Sequence, residues 1–153
     1  MIRRILVALD GSDHAERALT LALDLAQQYS AETQLLTVVP PLFLPMHSMT
    51  VATPELTTEV TTQLENIFMG VLYRAEEKVR QEKPKLKVSA KIEHGRPEEK
   101  IVEIAKSGCF DLIVMGSRGL GRGEYALGSV SSSCRLCWLP SVDSQMRTDS
   151  QSH

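Results

Sequence analysis

Three cysteines in 153 residues, Cys109, Cys134 and Cys137, are too few and odd in number for a disulfide framework. Cys134 and Cys137 have the spacing of half a zinc site or of a redox pair, but no second CxxC and no HxxxH completes a metal shell. Four histidines, His14, His47, His94 and His153, are scattered without an HExxH, and no serine sits in a GxSxG elbow. Neither a zinc hydrolase nor a serine hydrolase is encoded in the usual way. No stretch approaches the roughly 18 consecutive apolar residues that span a bilayer. The apolar run after Arg3 and Arg4 meets Asp10 too early for a signal peptide, so a cytoplasmic location is expected. A net charge of −2 gives no broad cationic field, which argues against nucleic acid and membrane as partners.

What is present is an ordinary globular composition, 42% hydrophobic and 24% charged, in a length that suits one domain. One α/β domain is expected over residues 1–140. From Asp143 onward the chain is polar, and a disordered tail is expected over 141–153.

Hydrophobic periodicity alternates between two periods. Residues 2–9 form a β-branched and leucine-rich run without polar alternation, the pattern of a strand buried on both faces of a parallel sheet. Ser12 or Asp13 can then cap a helix, because Ala15, Ala18, Leu19, Ala22, Leu23 and Ala26 recur at helical spacing up to about Tyr29. A second strand over 33–39 stops at Pro40 and Pro41. A proline-containing loop over 41–54 follows, then one long helix over 55–82 whose apolar face runs from Leu56, Val60, Leu64 and Ile67 through Phe68, Val71, Leu72, Ala75 and Val79. A third strand is predicted around 86–92, ending at His94 and Gly95, and Pro97 can open a helix over 98–107. Residues 111–115 make a fourth buried strand that feeds into Gly116.

Repeated strand–helix alternation predicts a Rossmann-like open doubly wound parallel sheet of strand order 3-2-1-4 with right-handed crossovers. Ligands in such sheets sit beyond the carboxyl ends of the strands, which points to Asp10, Val38, Val39 and the loop from Gly116. That loop, residues 116–131, opens with closely spaced glycines and ends in Gly128 and Ser129 before a predicted helix. Glycine lets backbone N–H groups approach an anion, a helix N-terminus adds about half a positive charge, and Ser129 and Ser131 add hydroxyl donors. The loop satisfies neither GxxxxGK[ST] nor GxGxxG. Read from spacing alone, a flexible surface loop is the lesser alternative.

The motifs VALDGS, LLTVVP, HGRPEEKIVEIAK, DLIVMGSRG and LGSVS, in this order across residues 2–133, resemble the universal stress protein family. Nucleotide-binding members of that family carry Gly, two residues, Gly, nine residues, then Gly-Ser or Gly-Thr. The resemblance implies an adenine nucleotide as ligand, ATP or else AMP or ADP, with Mg²⁺ near Asp10. By position it places Ala8 and Asp10 near ribose and base and the Val38 backbone on adenine. Met115 leads into the loop, where Gly116, Gly119, Gly128, Ser129, Val130 and Ser131 would hold ribose and phosphates. Arg118, with Arg122, would offset phosphate charge or else remain a solvated loop arginine. The implied role is regulation or sensing in a stress response through a client protein. Two other functions stay open: a weak ATPase or nucleotide-processing enzyme, and a protein-interaction module that binds no nucleotide.

Two departures from the family pattern are visible. Eight residues rather than nine separate Gly119 from Gly128, and the tail after residue 133 lacks the β-branched run of the family's fifth strand. That strand is therefore expected to be absent or displaced. In the family it supports homodimers, so the resemblance implies a dimer whose usual interface this tail does not supply.

Overall fold

A computed structural model describes residues 1–42, 53–116 and 137–138. Its elements in chain order are β1 (Arg4–Ala8), α1 (Asp13–Tyr29), β2 (Glu32–Val39), α2 (Pro54–Glu82), β3 (Val88–His94), α3 (Pro97–Ser107), β4 (Leu112–Met115) and β5 (Cys137–Trp138). The sheet order is β3-β2-β1-β4-β5 and every described pairing is parallel. The order 3-2-1-4 is the expected one. The fifth strand, predicted absent or displaced, has two residues in place: Cys137 pairs with Ile113 and Trp138 with Val114. Backbone pairing at the β4 edge does not depend on the β-branched side chains whose absence suggested otherwise. The predicted loop over 41–54 and the tail lie almost wholly outside the described residues.

Period-2 alternation sorts the central strands onto two apolar layers. Ile5, Val7, Leu35, Leu112 and Val114 face α1 and α2, where Ala18, Leu19, Leu23 and Leu72 complete one core. Leu6, Leu36, Val38 and Ile113 face the other way, onto Ile101, Ile104 and Ala105 of α3. Because both faces are covered, these strands carry no polar stripe, which is the pattern visible in the sequence.

Local chemistry sets the element ends. The Ser12 side chain accepts a hydrogen bond from the Ala15 amide at 3.2 Å and so satisfies one open donor of the α1 N-terminus. Pro97 opens α3, and Glu98 and Glu99 in its first turn favour the helix dipole. The long helix departs from expectation in one respect. Only Phe68, Val71, Leu72, Ala75 and Val79 are buried, while Leu56, Val60 and Ile67 are exposed. The reason is length: 29 helical residues span about 43 Å, whereas the longest strand, eight residues, spans about 26 Å.

At the opposite end of the sheet, Asp111 precedes β4 rather than beginning it. Its Oδ2 accepts from the Arg3 amide at 2.8 Å and the Arg4 amide at 3.0 Å, tying β4 to the start of β1. These two backbone hydrogen bonds hold its carboxyl below the usual carboxylate range. A group with a depressed folded pKa adds stability that is present above its unfolded value, about pH 4, and is lost as pH falls through the folded value. Asp111→Ala is therefore expected to lose up to about 1 kcal/mol near neutral pH, the value of a charged hydrogen bond reduced for its exposure. Urea unfolding at pH 7 and at successively lower pH checks this, the difference between the two proteins shrinking toward the acid end.

Candidate functional site

β1 and β4 end level with each other at the carboxyl edge of the sheet, beside β2. Ala8 pairs with Met115 of β4 on one side and with Leu36 of β2 on the other. Ala8 and Met115 are half-buried and Val38 is buried. One more bond continues the β1–β2 pairing, the Leu9 amide donating to the Leu36 carbonyl at 2.8 Å. Thr37, wholly buried, donates its hydroxyl to the Leu9 carbonyl at 3.2 Å, so a polar side chain inside an apolar strand is satisfied by the turn it supports.

β2 then outlasts β1. Leu36 directs its backbone polar groups toward β1, and by the two-residue period Val38 directs its own toward the same side. The regular β1 ladder has ended there, because Ala8 is its last residue. Val38 thus places a backbone donor and acceptor at the carboxyl edge of the sheet, where the β1 chain turns away.

The turn itself is held by Asp10. Its Oδ1 accepts from the Ser12 amide at 2.9 Å and from the Ser12 hydroxyl at 2.6 Å, an Asx turn. The Ser12 oxygen in turn caps α1, so Asp10, Ser12 and the helix N-terminus form one connected unit. Gly11 between them has φ +84°, a conformation that favours glycine. Asp10 is thus the turn residue that closes β1.

Gly116 leaves β4 directly over this unit. A Cβ on Gly116 would stand 2.9 Å from the Ala15 nitrogen, the His14 carbonyl carbon and the His14 Cβ. Only glycine lets the strand exit pass so close to the first turn of α1, and the glycine-rich loop therefore starts beside a helix N-terminus. Ala8, Asp10, Val38, Met115 and Gly116 come together at this edge. Arg118, Gly119, Gly128, Ser129, Val130 and Ser131 lie outside the described residues.

Two residues here escaped the sequence reading. His14, one of the four scattered histidines, has a buried Nδ1 with no hydrogen-bond partner among the described residues and lies against Gly116. Thr37 was not singled out within the second strand, and its signal was a hydroxyl set among Leu35, Leu36, Val38 and Val39. Among the described residues no group of three or more His, Cys, Asp or Glu side chains is placed to hold a metal ion, and no helix is long and apolar enough to cross a membrane.

A parallel sheet of this order, helices on both faces and a glycine-bearing turn over a helix N-terminus at its carboxyl edge define a Rossmann-like α/β protein. Residues 1–135 match the model of the universal stress protein family. The chain is 34% identical over 135 residues to the universal stress protein YxiE of Bacillus subtilis, covering 86% of this chain and 90% of that one. It is 38% identical over 136 residues to a universal stress protein of Thermus aquaticus, covering 86% and 89%. It belongs to the universal stress protein family. Solved structures agree in fold: universal stress protein UspA from Lactobacillus plantarum superposes with a TM-score of 0.72 at 24% identity, covering 90% of this chain and 97% of that one. A universal stress protein family protein from Arabidopsis thaliana with AMP bound gives 0.63 at 20% identity, covering 93% and 94%. A universal stress protein in complex with cAMP gives 0.64 at 19%, covering 90% and 96%.

Proposed function

We propose that this protein binds an adenine nucleotide, ATP in the first place, at the carboxyl edge of β1, β2 and β4, and that it works as a regulatory module in a cytoplasmic stress response. The observation that carries the reading is the Val38 backbone. Adenine presents an amino donor beside a ring-nitrogen acceptor, and the carbonyl and amide of a single strand residue, directed into a cleft, are the matching pair. Asp10, fixed by its Asx turn, stands at the ribose side of that cleft and can accept from a sugar hydroxyl. Phosphates would then extend toward the α1 N-terminus and the loop after Gly116, where the helix dipole and successive amides favour negative charge. AMP and cAMP in two structures of the same fold support the ligand class.

Among the described residues no group of three or more His, Cys, Asp or Glu side chains is placed to cage a metal ion, so Mg²⁺ would arrive on the nucleotide phosphates. The nucleotide-binding domain in this reading is residues 1–140, with 141–153 as a tail.

Calorimetric titration with Mg-ATP, and with AMP in parallel, tests the proposal. Saturable binding tighter than about 100 μM, or about −5.5 kcal/mol, is expected. Asp10→Asn retains an acceptor for the Asx turn but removes the charge, and is expected to weaken binding about tenfold with little change in thermal midpoint. No heat at millimolar nucleotide from folded protein would overturn the reading and leave partner binding as the function.

A further inference from the structure

On the face of the sheet that α3 packs against, the apolar cover stops short of the amino end. α3 closes over Leu6, Leu36, Val38 and Ile113. Over the first residues of β1, β2 and β3 lies a groove of about 470 Å³, a volume within the range of small-molecule sites. Strand register sets its floor. Arg4 pairs with Glu32, and the Lys87 carbonyl accepts from the Thr33 amide at 2.9 Å, so Arg4, Glu32 and Lys87 follow one another across three strands. Two residues further along, Gln34 pairs with Ser89. Phe110, just before β4, lines the groove as well.

Several polar groups here lack the partners their chemistry calls for. Arg4 is half-buried, its guanidinium carbon stands 4.6 Å from the centre of the Phe110 ring, and its Nη1 donates to the Gly108 carbonyl. Both contacts fix the cation in place, yet no carboxylate among the described residues pairs with its side chain. Glu32 is exposed and stands 3.9 Å from the Lys87 Nζ, beyond hydrogen-bond length, so its negative charge is only loosely engaged. Gln34 is half-buried, and neither its carboxamide nor the Ser89 hydroxyl has a hydrogen-bond partner among the described residues. A held cation without a counter-charge, beside a carboxamide without a partner, is an arrangement that a ligand completes.

We propose that this groove binds a free α-amino acid whose side chain ends in a carboxamide, with glutamine as the type case. Its α-carboxylate meets the Arg4 guanidinium and its α-ammonium meets Glu32. Neighbouring strands are about 4.8 Å apart, so the two opposite charges stand side by side, as they do in a zwitterion. Gln34 and Ser89 lie two residues further on, about 6.6 Å along the strands, a reach that a two-methylene side chain covers with its terminal hydrogen bond. Both groups there are neutral and can donate as well as accept, which matches a carboxamide rather than a second carboxylate. Glu32 also sets the groove against polyanions, so it does not duplicate the proposed nucleotide cleft, which lies at the other end of the sheet.

Titration of the nitrogen-15-labelled full chain with L-glutamine, followed through backbone amide chemical shifts, tests this. Saturable shifts at Glu32, Gln34 and Ser89, with a dissociation constant of about 1 mM or below, are expected. Two truncated probes separate the charges: 4-aminobutanamide lacks the carboxylate and 4-carbamoylbutanoate lacks the ammonium, and each is expected to bind about tenfold more weakly than glutamine. Glu32→Gln removes the counter-charge for the ammonium, and Gln34→Leu removes the carboxamide at nearly equal volume. Each is expected to weaken glutamine binding about tenfold while the rest of the amide spectrum keeps its dispersion. No shift at these residues with about 20 mM L-glutamine, truncated probes that bind as tightly as glutamine, or an affinity unmoved by both variants would each overturn the proposal.

Discussion

Leu35→Ala is expected to lower the unfolding free energy by about 3–5 kcal/mol, the upper part of the range for a large-to-small change in a packed core. Leu35 is wholly buried in β2, paired with Val7 of β1 and Ala90 of β3, and it belongs to the layer that α1 and α2 close. Its neighbours have little freedom to fill the space, because it is flanked by strands on both sides and capped by helices that are themselves anchored at the sheet. For a chain of this length the loss corresponds to a fall in thermal midpoint of roughly 10 °C. Urea unfolding should show the midpoint moving with an unchanged slope. A loss under 1 kcal/mol would mean that β2 is not the centre of the core.

The same pairing explains why the central strands could be read from the sequence. β1, β2 and β4 are apolar on both faces, which only a covered parallel sheet allows, so residues 5–7, 35–36 and 112–114 announce their place without reference to any partner. α1 was legible for a second reason: its cap, Ser12, and its apolar face sit at their ordinary spacing. α2 was legible as a helix but not in what it buries, because periodicity reports which side chains could share a face and not where the sheet beneath them stops. Exposed Leu56, Val60 and Ile67 differ from the buried residues Val71 and Ala75 only in lying beyond the strand ends. β5 was illegible for the converse reason, since two residues held by backbone pairing leave little trace in side-chain pattern.

At the site, the turn chemistry of Asp10, Gly11 and Ser12 was readable, since an Asx turn before a capped helix needs those residue types. The tight passage of Gly116 over α1 was not. A glycine at the end of a buried strand fits a turn, a ligand cradle and a close packing contact equally well, and only the 2.9 Å approaches to the His14 and Ala15 atoms identify the third. His14 Nδ1 is buried as well, so a histidine in the first turn of a helix acquires a buried polar atom that no spacing rule would reveal.

Gly116→Val should accordingly be destabilising before it is anything else. Ala15 nitrogen and His14 carbonyl carbon are backbone atoms, so relief of the overlap requires the first turn of α1 to move, and that turn is tied to Asp10 through Ser12. A loss of about 3 kcal/mol is expected, at the upper end for overpacking, with Gly116→Ala losing about 1–2. Gly70→Ala supplies the contrast: with open space around its Cβ, it should stabilise the protein by about 0.5–1 kcal/mol. Thermal unfolding of the three variants checks the signs. The outcome also decides how nucleotide binding is to be probed. If Gly116→Val unfolds several degrees earlier, a loss of ATP binding in that variant follows from displacement of the α1 N-terminus and says nothing about a phosphate contact at residue 116. Asp10→Asn, which keeps the turn, is then the variant whose affinity reports on the cleft. A Gly116→Val protein as stable as the parent would show that α1 yields at no cost, and the loop after β4 would have to be held in place by something other than its passage over the helix.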